Sequence, residues 1–278
     1  MINDFDKLLN LSLQLDGADK DLTSNAIIGA KQQCTATFIT KLQGIACGME
    51  FVERIYNIIN PKIEVTILKD EGSYLNRGDA IVSLKGRMID ILRASRVCAS
   101  ILDTMGSIAF AGSKYIEEIK GHNCKIVTNY KTIPLFEPFS KIALESIGIE
   151  QANYNLQEYS YINESHILTI GSVGESIKAV QKKNPNLPIE VEVINKEEAI
   201  NAIELKANRI LLLDMKEEEI DEILNMNHGD SLIGISNVSI GRVREFAKKG
   251  FDYIVIDDLA LNIKPMGIYL KVYKRTLK

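Results

Sequence analysis

Four short apolar runs stand in register in the C-terminal half of the chain, about 22 residues apart: 189–193, 210–214, 232–236 and 253–257. Each is rich in branched residues, as a strand buried on both faces should be. The segments between them, 196–207, 216–226 and 239–249, space their apolar residues as amphipathic helices do. A βα unit repeated at this period predicts a parallel α/β barrel, with strands near 189–193, 209–213, 231–235 and 253–256. Polar groups sit at the strand ends: Glu192, Asp214, Ser236, Asn237, Asp257 and Asp258. The C-terminal ends of barrel strands carry the active site, so these residues are the first candidates for chemistry.

The first hundred residues follow another pattern. Stretches 34–43 and 63–68 alternate or cluster branched residues as strands do, and 46–59 is amphipathic and helical. Asp70-Glu71-Gly72 and Asn76-Arg77-Gly78-Asp79 are turn signals around a strand at 80–84. Segment 88–120 lacks proline and has helical periodicity, with a break expected near Gly106. This predicts an α+β domain at 1–105 and a barrel at 106–266, with 267–278 returning to the first domain as a strand.

Composition narrows the function classes. The 278 residues are 46% hydrophobic and 25% charged, with a net charge of −4. No basic excess points to nucleic acid, and no apolar run is long enough to span a membrane. The first residues lack the basic and apolar regions of a signal peptide. Cys34, Cys47, Cys98 and Cys124 have no metal-ligand spacing and read as buried thiols, so a cytoplasmic protein is expected.

Laid end to end, these pieces resemble the quinolinate phosphoribosyltransferases, also called carboxylating nicotinate-nucleotide pyrophosphorylases. Early matches are Asp21-Leu22-Thr23-Ser24, Gly44 to Gly48, and Asp70-Glu71-Gly72 with Gly78-Asp79 and Gly86. Later matches are Arg96, Ile108-Ala109, Lys131-Thr132 with Pro134, Lys141 with Ala143, His166, 190–193, Leu213-Asp214 and 250–253. Their order and spacing carry the resemblance over nearly the whole chain. It implies an N-terminal α/β sandwich, a C-terminal open α/β barrel, and a homodimer in which a neighbour's first domain covers the barrel mouth. It implies transfer of a phosphoribosyl group to quinolinate, with release of carbon dioxide and pyrophosphate, a step of pyridine nucleotide biosynthesis. Two acidic substrates need Arg, Lys, His⁺ and backbone N–H donors. Mg²⁺ and the oxocarbenium-like transition state need carboxylates.

The departures from the family pattern fall in that pocket. Tyr130, Asn153 and Asn163 stand where the family has arginine, arginine and lysine. Glu137 aligns with an arginine, Met215 with an asparagine and Leu261 with a histidine. Asp257 stands where a glycine lets backbone approach a phosphate, and Ser236-Asn237 lies in place of a serine-glycine turn. Three cations are lost and carboxylates gained, so a ligand less anionic than the family's pair is expected.

Each candidate has a plainer alternative. Glu192 and Asp214 are metal or ribose contacts, with Mg²⁺ the implied ion, or they cap helices and pair with Lys131 or Lys141. Lys131 holds a phosphate or pairs with Glu192. Arg96 reaches a neighbour's site or braces an interface. His166 is read as the start of a strand, a satisfied barrel histidine or a catalyst. Tyr130, Asn153 and Asn163 form a neutral hydrogen-bonding pocket or reflect drift. Catalysis is assigned to Glu192, Asp214 and Lys131. Ligand binding is assigned to Arg96, Lys141, Tyr130, Asn153, Asn163, His166, Ser236, Asn237 and Asp257. Three readings remain open: a divergent transferase-like protein with a less anionic ligand, a non-catalytic metabolite- or partner-binding relative, and the family's own reaction.

Overall fold

The computed structural model describes residues 4–129, 131–151, 155–157 and 159–273. In chain order its first elements are α1 (Asp4–Leu15), α2 (Leu22–Ile27), β1 (Gln33–Ile39), β2 (Gly44–Ile45), α3 (Met49–Ile59), β3 (Glu64–Ile67), β4 (Tyr74–Leu75), β5 (Ala80–Arg87) and α4 (Met88–Ile119). Then come β6 (Lys125–Thr128), α5 (Glu137–Glu145), β7 (Glu150–Gln151), β8 (Ser160–Ile162), α6 (Glu164–Ile170) and α7 (Val173–Lys183). The chain continues with β9 (Ile189–Val193), α8 (Lys196–Glu204), β10 (Arg209–Leu212), α9 (Glu217–Leu224), β11 (Leu232–Ile235), α10 (Ile240–Lys249), β12 (Tyr253–Val255) and β13 (Tyr269–Tyr273). These divide into two compact units: 1–112 with 133–147 and 262–278, and 113–132 with 148–261.

The first unit is built on an antiparallel sheet in the order β13-β1-β5-β3. The expected return strand is β13, which pairs with β1 from Thr35↔Tyr273 to Ile39↔Tyr269. Helix α3 buries Phe51, Val52, Ile55 and Tyr56, and the Tyr56 hydroxyl donates to the Ile91 carbonyl at 2.8 Å. Asp90 is fully buried, so its charge needs partners. It accepts 2.6 Å bonds from Arg87 Nε and Nη2 and a 2.7 Å bond from Asn60 Nδ2.

The break expected near Gly106 is absent, and α4 runs unbroken through it. The glycine answers a tertiary demand. A Cβ there would lie 2.5 Å from the Ile45 carbonyl oxygen and 2.3 Å from Met266 Cε. Close packing thus selects glycine inside a helix, at some cost in local propensity.

The second unit is a seven-stranded sheet in the order β7-β6-β12-β11-β10-β9-β8. Every neighbouring pair is parallel. Strands β7 and β8 form its two edges, so the barrel is open between them. The expected barrel strands all form, with ends within about two residues of the expectation. Alternate residues face one interior, and Val127, Leu211, Tyr253 and Val255 form its buried cluster, with Leu213 against it.

The N-terminal end of this sheet carries a buried polar layer. Tyr253 OH donates to Glu190 Oε1 at 2.9 Å, and Glu190 is only 1% exposed. Arg209 Nη2 bonds Glu150 Oε1 at 2.5 Å, and its guanidinium lies 5.3 Å from the Tyr253 ring centre. Gly234 makes room, because a Cβ there would lie 2.2 Å from the tyrosine ring. Burial, with nearby Glu190, pushes the Tyr253 and Tyr159 hydroxyls well above their ordinary range. The interior is therefore a packed core, which places the chemistry at the other end. Among the described residues no helix is long and apolar enough to cross a membrane.

Candidate functional site

At the C-terminal end of the sheet, register decides which residues meet. Val127 on β6 pairs with Val255 on β12, so Asn129 and Asp257, each two residues further on, point to the same place. Asn129 Nδ2 donates to Asp257 Oδ1 at 2.7 Å, and Lys131 Nζ reaches Asp257 Oδ2 at 3.2 Å. The Lys131 backbone N–H closes the knot on Asn129 Oδ1 at 2.9 Å. Lys131 therefore pairs with Asp257, where a pairing with Glu192 was one expectation. Beside the knot, Gln151 Nε2 donates to the Asn129 carbonyl at 3.2 Å, while Gln151 Oε1 is buried without a partner among the described residues.

Glu192 sits near the end of β9, half-buried and facing inward. Its neighbour β8 contributes Tyr161, whose hydroxyl donates a short bond to Glu192 Oε1. The Glu164 backbone N–H donates to Oε2 at 3.4 Å. Burial first, and then the Glu192 carboxylate, drives the Tyr161 hydroxyl far above its ordinary range. Tyr161 is thus a neutral donor that fixes the carboxylate.

Asp214 and Asn237 follow the adjacent strands β10 and β11, with φ of 48° and 59°. These left-handed conformations cost least for Asp and Asn among residues with a Cβ. Both line a cavity of about 230 Å³ with Ser236, Met215 and Arg242. Arg242 is already engaged, bonding Glu217 at 2.9 Å and Glu245 at 3.0 Å.

Asn163 and His166 make a local structure. Asn163 caps α6 by accepting from the His166 backbone N–H at 3.3 Å, and His166 Nδ1 accepts from the Asn163 N–H at 3.3 Å. His166 therefore lies in the first turn of a helix, which corrects the expectation that it begins a strand. The strand stops at Ile162 because Asn163 satisfies the helix start. Arg96 and Lys141 lie in the first unit. Arg96 Nε bonds Asp16 Oδ2 at 3.2 Å, and Lys141 pairs with Glu145 at 3.8 Å. Tyr130 and Asn153 lie outside the described residues.

Comparison with known proteins places this geometry. The model of the quinolinate phosphoribosyl transferase C-terminal domain matches residues 108–271, and that of the N-terminal domain matches residues 21–106. The chain belongs to the quinolinate phosphoribosyltransferase family. It is 27% identical over 280 residues to a probable carboxylating nicotinate-nucleotide pyrophosphorylase of Methanocaldococcus jannaschii, covering 96% of this chain and 97% of that protein. A Bacillus subtilis protein described in the same words is 25% identical, with 96% and 92% covered. The solved nicotinate-nucleotide pyrophosphorylase of Francisella tularensis superposes with a TM-score of 0.91 at 27% identity, with 98% of each chain covered. That of Ehrlichia chaffeensis gives 0.91 at 25%, covering 98% of this chain and all of the other.

For a quinolinate phosphoribosyltransferase, the implied ion is Mg²⁺. Such an ion takes one or two carboxylates and leaves the rest of its shell to water and substrate phosphates. Glu192 on β9 and Asp214 just after β10 are carboxylates of the right chemistry, but they have separate surroundings: Glu192 accepts from Tyr161 and the Glu164 N–H, and Asp214 lines the cavity of about 230 Å³. Among the described residues no group of three or more His, Cys, Asp or Glu side chains could hold a metal by itself. Sequence reasoning missed Asn129, Tyr161 and Gln151. The alternation Tyr159-Ser160-Tyr161-Ile162-Asn163 was the available signal, since period two puts Tyr161 on the face that carries Glu190 and Glu192.

Proposed function

We propose that this chain is a divergent quinolinate phosphoribosyltransferase relative whose barrel mouth takes a small molecule less anionic than a pyridine dicarboxylate with a phosphoribosyl diphosphate. The observation that carries the reading is the knot of Lys131, Asp257 and Asn129. Lys131 already has a carboxylate partner, and any phosphate brought to it would lie near Asp257. A unit charge about 4 Å from a like charge costs roughly 1 kcal/mol even in bulk water, and more in a drier site. Tyr161 supports the same reading, because it contributes a neutral donor that Glu192 already uses. Where the ligand carries a phosphate, Glu192 or Asp214 would hold Mg²⁺ against it.

The test is direct. Purified protein with quinolinate, phosphoribosyl pyrophosphate and Mg²⁺ should form no nicotinate mononucleotide above background. A thermal-shift screen should favour neutral pyridine amides over pyridine dicarboxylates. Turnover near about 1 s⁻¹, ordinary for an enzyme, would replace this reading with the family's own reaction. A flat screen together with absent turnover would favour a partner-binding relative.

A further inference from the structure

A second cavity in the barrel unit holds about 820 Å³, within the range of small-molecule sites. Its lining includes Tyr161, Asn163 and His166 but none of Lys131, Glu192, Asp214 or Asp257. Its origin is topological. Strands β8 to β12 are joined in the chain by α6 and α7, then α8, α9 and α10, whereas the described residues between β7 and β8 contain no helix. In a barrel each helix is flanked by its neighbours over the sheet. Helix α7 packs on α8 and α6. A face at helical spacing, Ser176, Ala179, Val180 and Lys183, lines the cavity instead of a further helix.

The surface facing the cavity is mostly apolar, with Leu156, Ile162, Ile170, Val180 and Leu187 contributing to it. Leu156 and Ile170 are exposed large apolar side chains, which monomer surfaces seldom cluster without use. Beside asparagine and serine side chains that both donate and accept, two wall groups can donate to an anion. His166 Nδ1 accepts a backbone N–H, which in the neutral ring leaves the proton on Nε2 as a donor. Lys183 is an ammonium with no carboxylate partner among the described residues. No Asp or Glu among the described residues lines the cavity. Among the described wall residues the basic groups are Lys183 and His166, and the other titratable groups, Tyr159 and Tyr161, are held neutral by burial, so a largely apolar chamber complements one negative charge on an apolar body.

We propose that this cavity binds a monoanionic amphiphile, an aliphatic body carrying one carboxylate. The body lies along α7 and β8, and the carboxylate accepts from Lys183 Nζ and His166 Nε2.

Decanoate is the probe, titrated calorimetrically into the full chain, with decanol and decylamine as uncharged and oppositely charged controls. Decanoate should bind saturably, and more tightly than either control. Ala179→Phe, at an exposed position of α7, fills the cavity and should abolish binding with the circular dichroism unchanged. Lys183→Met keeps the apolar stem and should weaken decanoate about tenfold, the loss expected for one charge-assisted bond, while leaving decanol unaffected. The proposal is overturned by absent saturable binding, by binding indifferent to Ala179→Phe, or by a Lys183→Met loss shared equally by decanoate and decanol. The assay of the barrel mouth is separate, so failure here leaves the Lys131–Asp257 reading in place.

Discussion

Asp257 sets the charge of the mouth at the scale of a single residue. The resemblance implies a glycine at this position, and the carboxylate draws both Asn129 and Lys131 onto itself. The pair is partly exposed, with side chains 44% and 28% accessible for Lys131 and Asp257, so it adds little to stability. Its consequence is for binding, because the lysine meets a ligand phosphate only in competition with a carboxylate. Asp257→Gly should therefore leave thermal stability nearly unchanged and raise affinity for inorganic pyrophosphate by about fivefold to tenfold, the effect of roughly 1 kcal/mol. Isothermal titration at low salt measures it. Unchanged affinity would mean that Lys131 does not face the ligand. The knot could not be read from the sequence. Lys131 and Asp257 are 126 residues apart and meet only because β6 and β12 are neighbours. The resemblance pointed to the position of Asp257 but not to the partners its carboxylate takes.

Elements were legible where burial made them regular. Strands β9 to β12 are largely buried on both faces; β10 to β12 read as nearly continuous apolar runs and β9 as branched residues alternating with two glutamates, which is why their positions were expected closely. Strand β8 was not legible, since three residues with an inward tyrosine carry no apolar run, and His166 was misread with it. Gly106 was misread because a local rule was applied where contact with the Ile45 carbonyl decides. The inward tyrosines make a prediction that belongs to β8 and β12 together. Tyr159, Tyr161 and Tyr253 all have hydroxyls raised above the unfolded value, chiefly by burial. Between the unfolded and folded values the native state binds more protons than the unfolded chain, so stability falls as pH rises. The contribution is complete below about pH 10, the ordinary tyrosine value, and is lost progressively above it. Burial raises the four cysteine thiols as well, so urea midpoints should begin to fall at about pH 9 and drop more steeply above about pH 10, and Tyr161→Phe should lessen the steeper part. A midpoint insensitive to alkali would place these hydroxyls in water.

At the scale of the whole molecule, the chain carries apolar surface that its own fold does not cover. Leu15 and Leu22, on α1 and α2, are 81% and 82% exposed, with Ile27 at 75%. Arg93 ties the neighbouring turn to α4 by bonding Asp19 at 3.0 Å and the Ala18 carbonyl at 2.6 Å, so this apolar edge is held in place. Arg96 does the same through Asp16. Hydrophobic side chains fixed outward on two successive helices suit an isologous contact, in which the same patch serves both copies. Burying each large aliphatic side chain is worth about 1.5–3 kcal/mol before the cost of association. The chain is therefore expected to form a homodimer, as its resemblance to the family also suggests, with an interface burying more than about 1,000 Å² in total. Sedimentation velocity at micromolar concentration should give twice the chain mass. Leu15→Asp with Leu22→Asp places carboxylates in that contact and should shift the boundary to the monomer without loss of helical signal. A wild-type chain that sediments as a monomer would end the claim. A dimer unaffected by the double substitution would move the contact to another face.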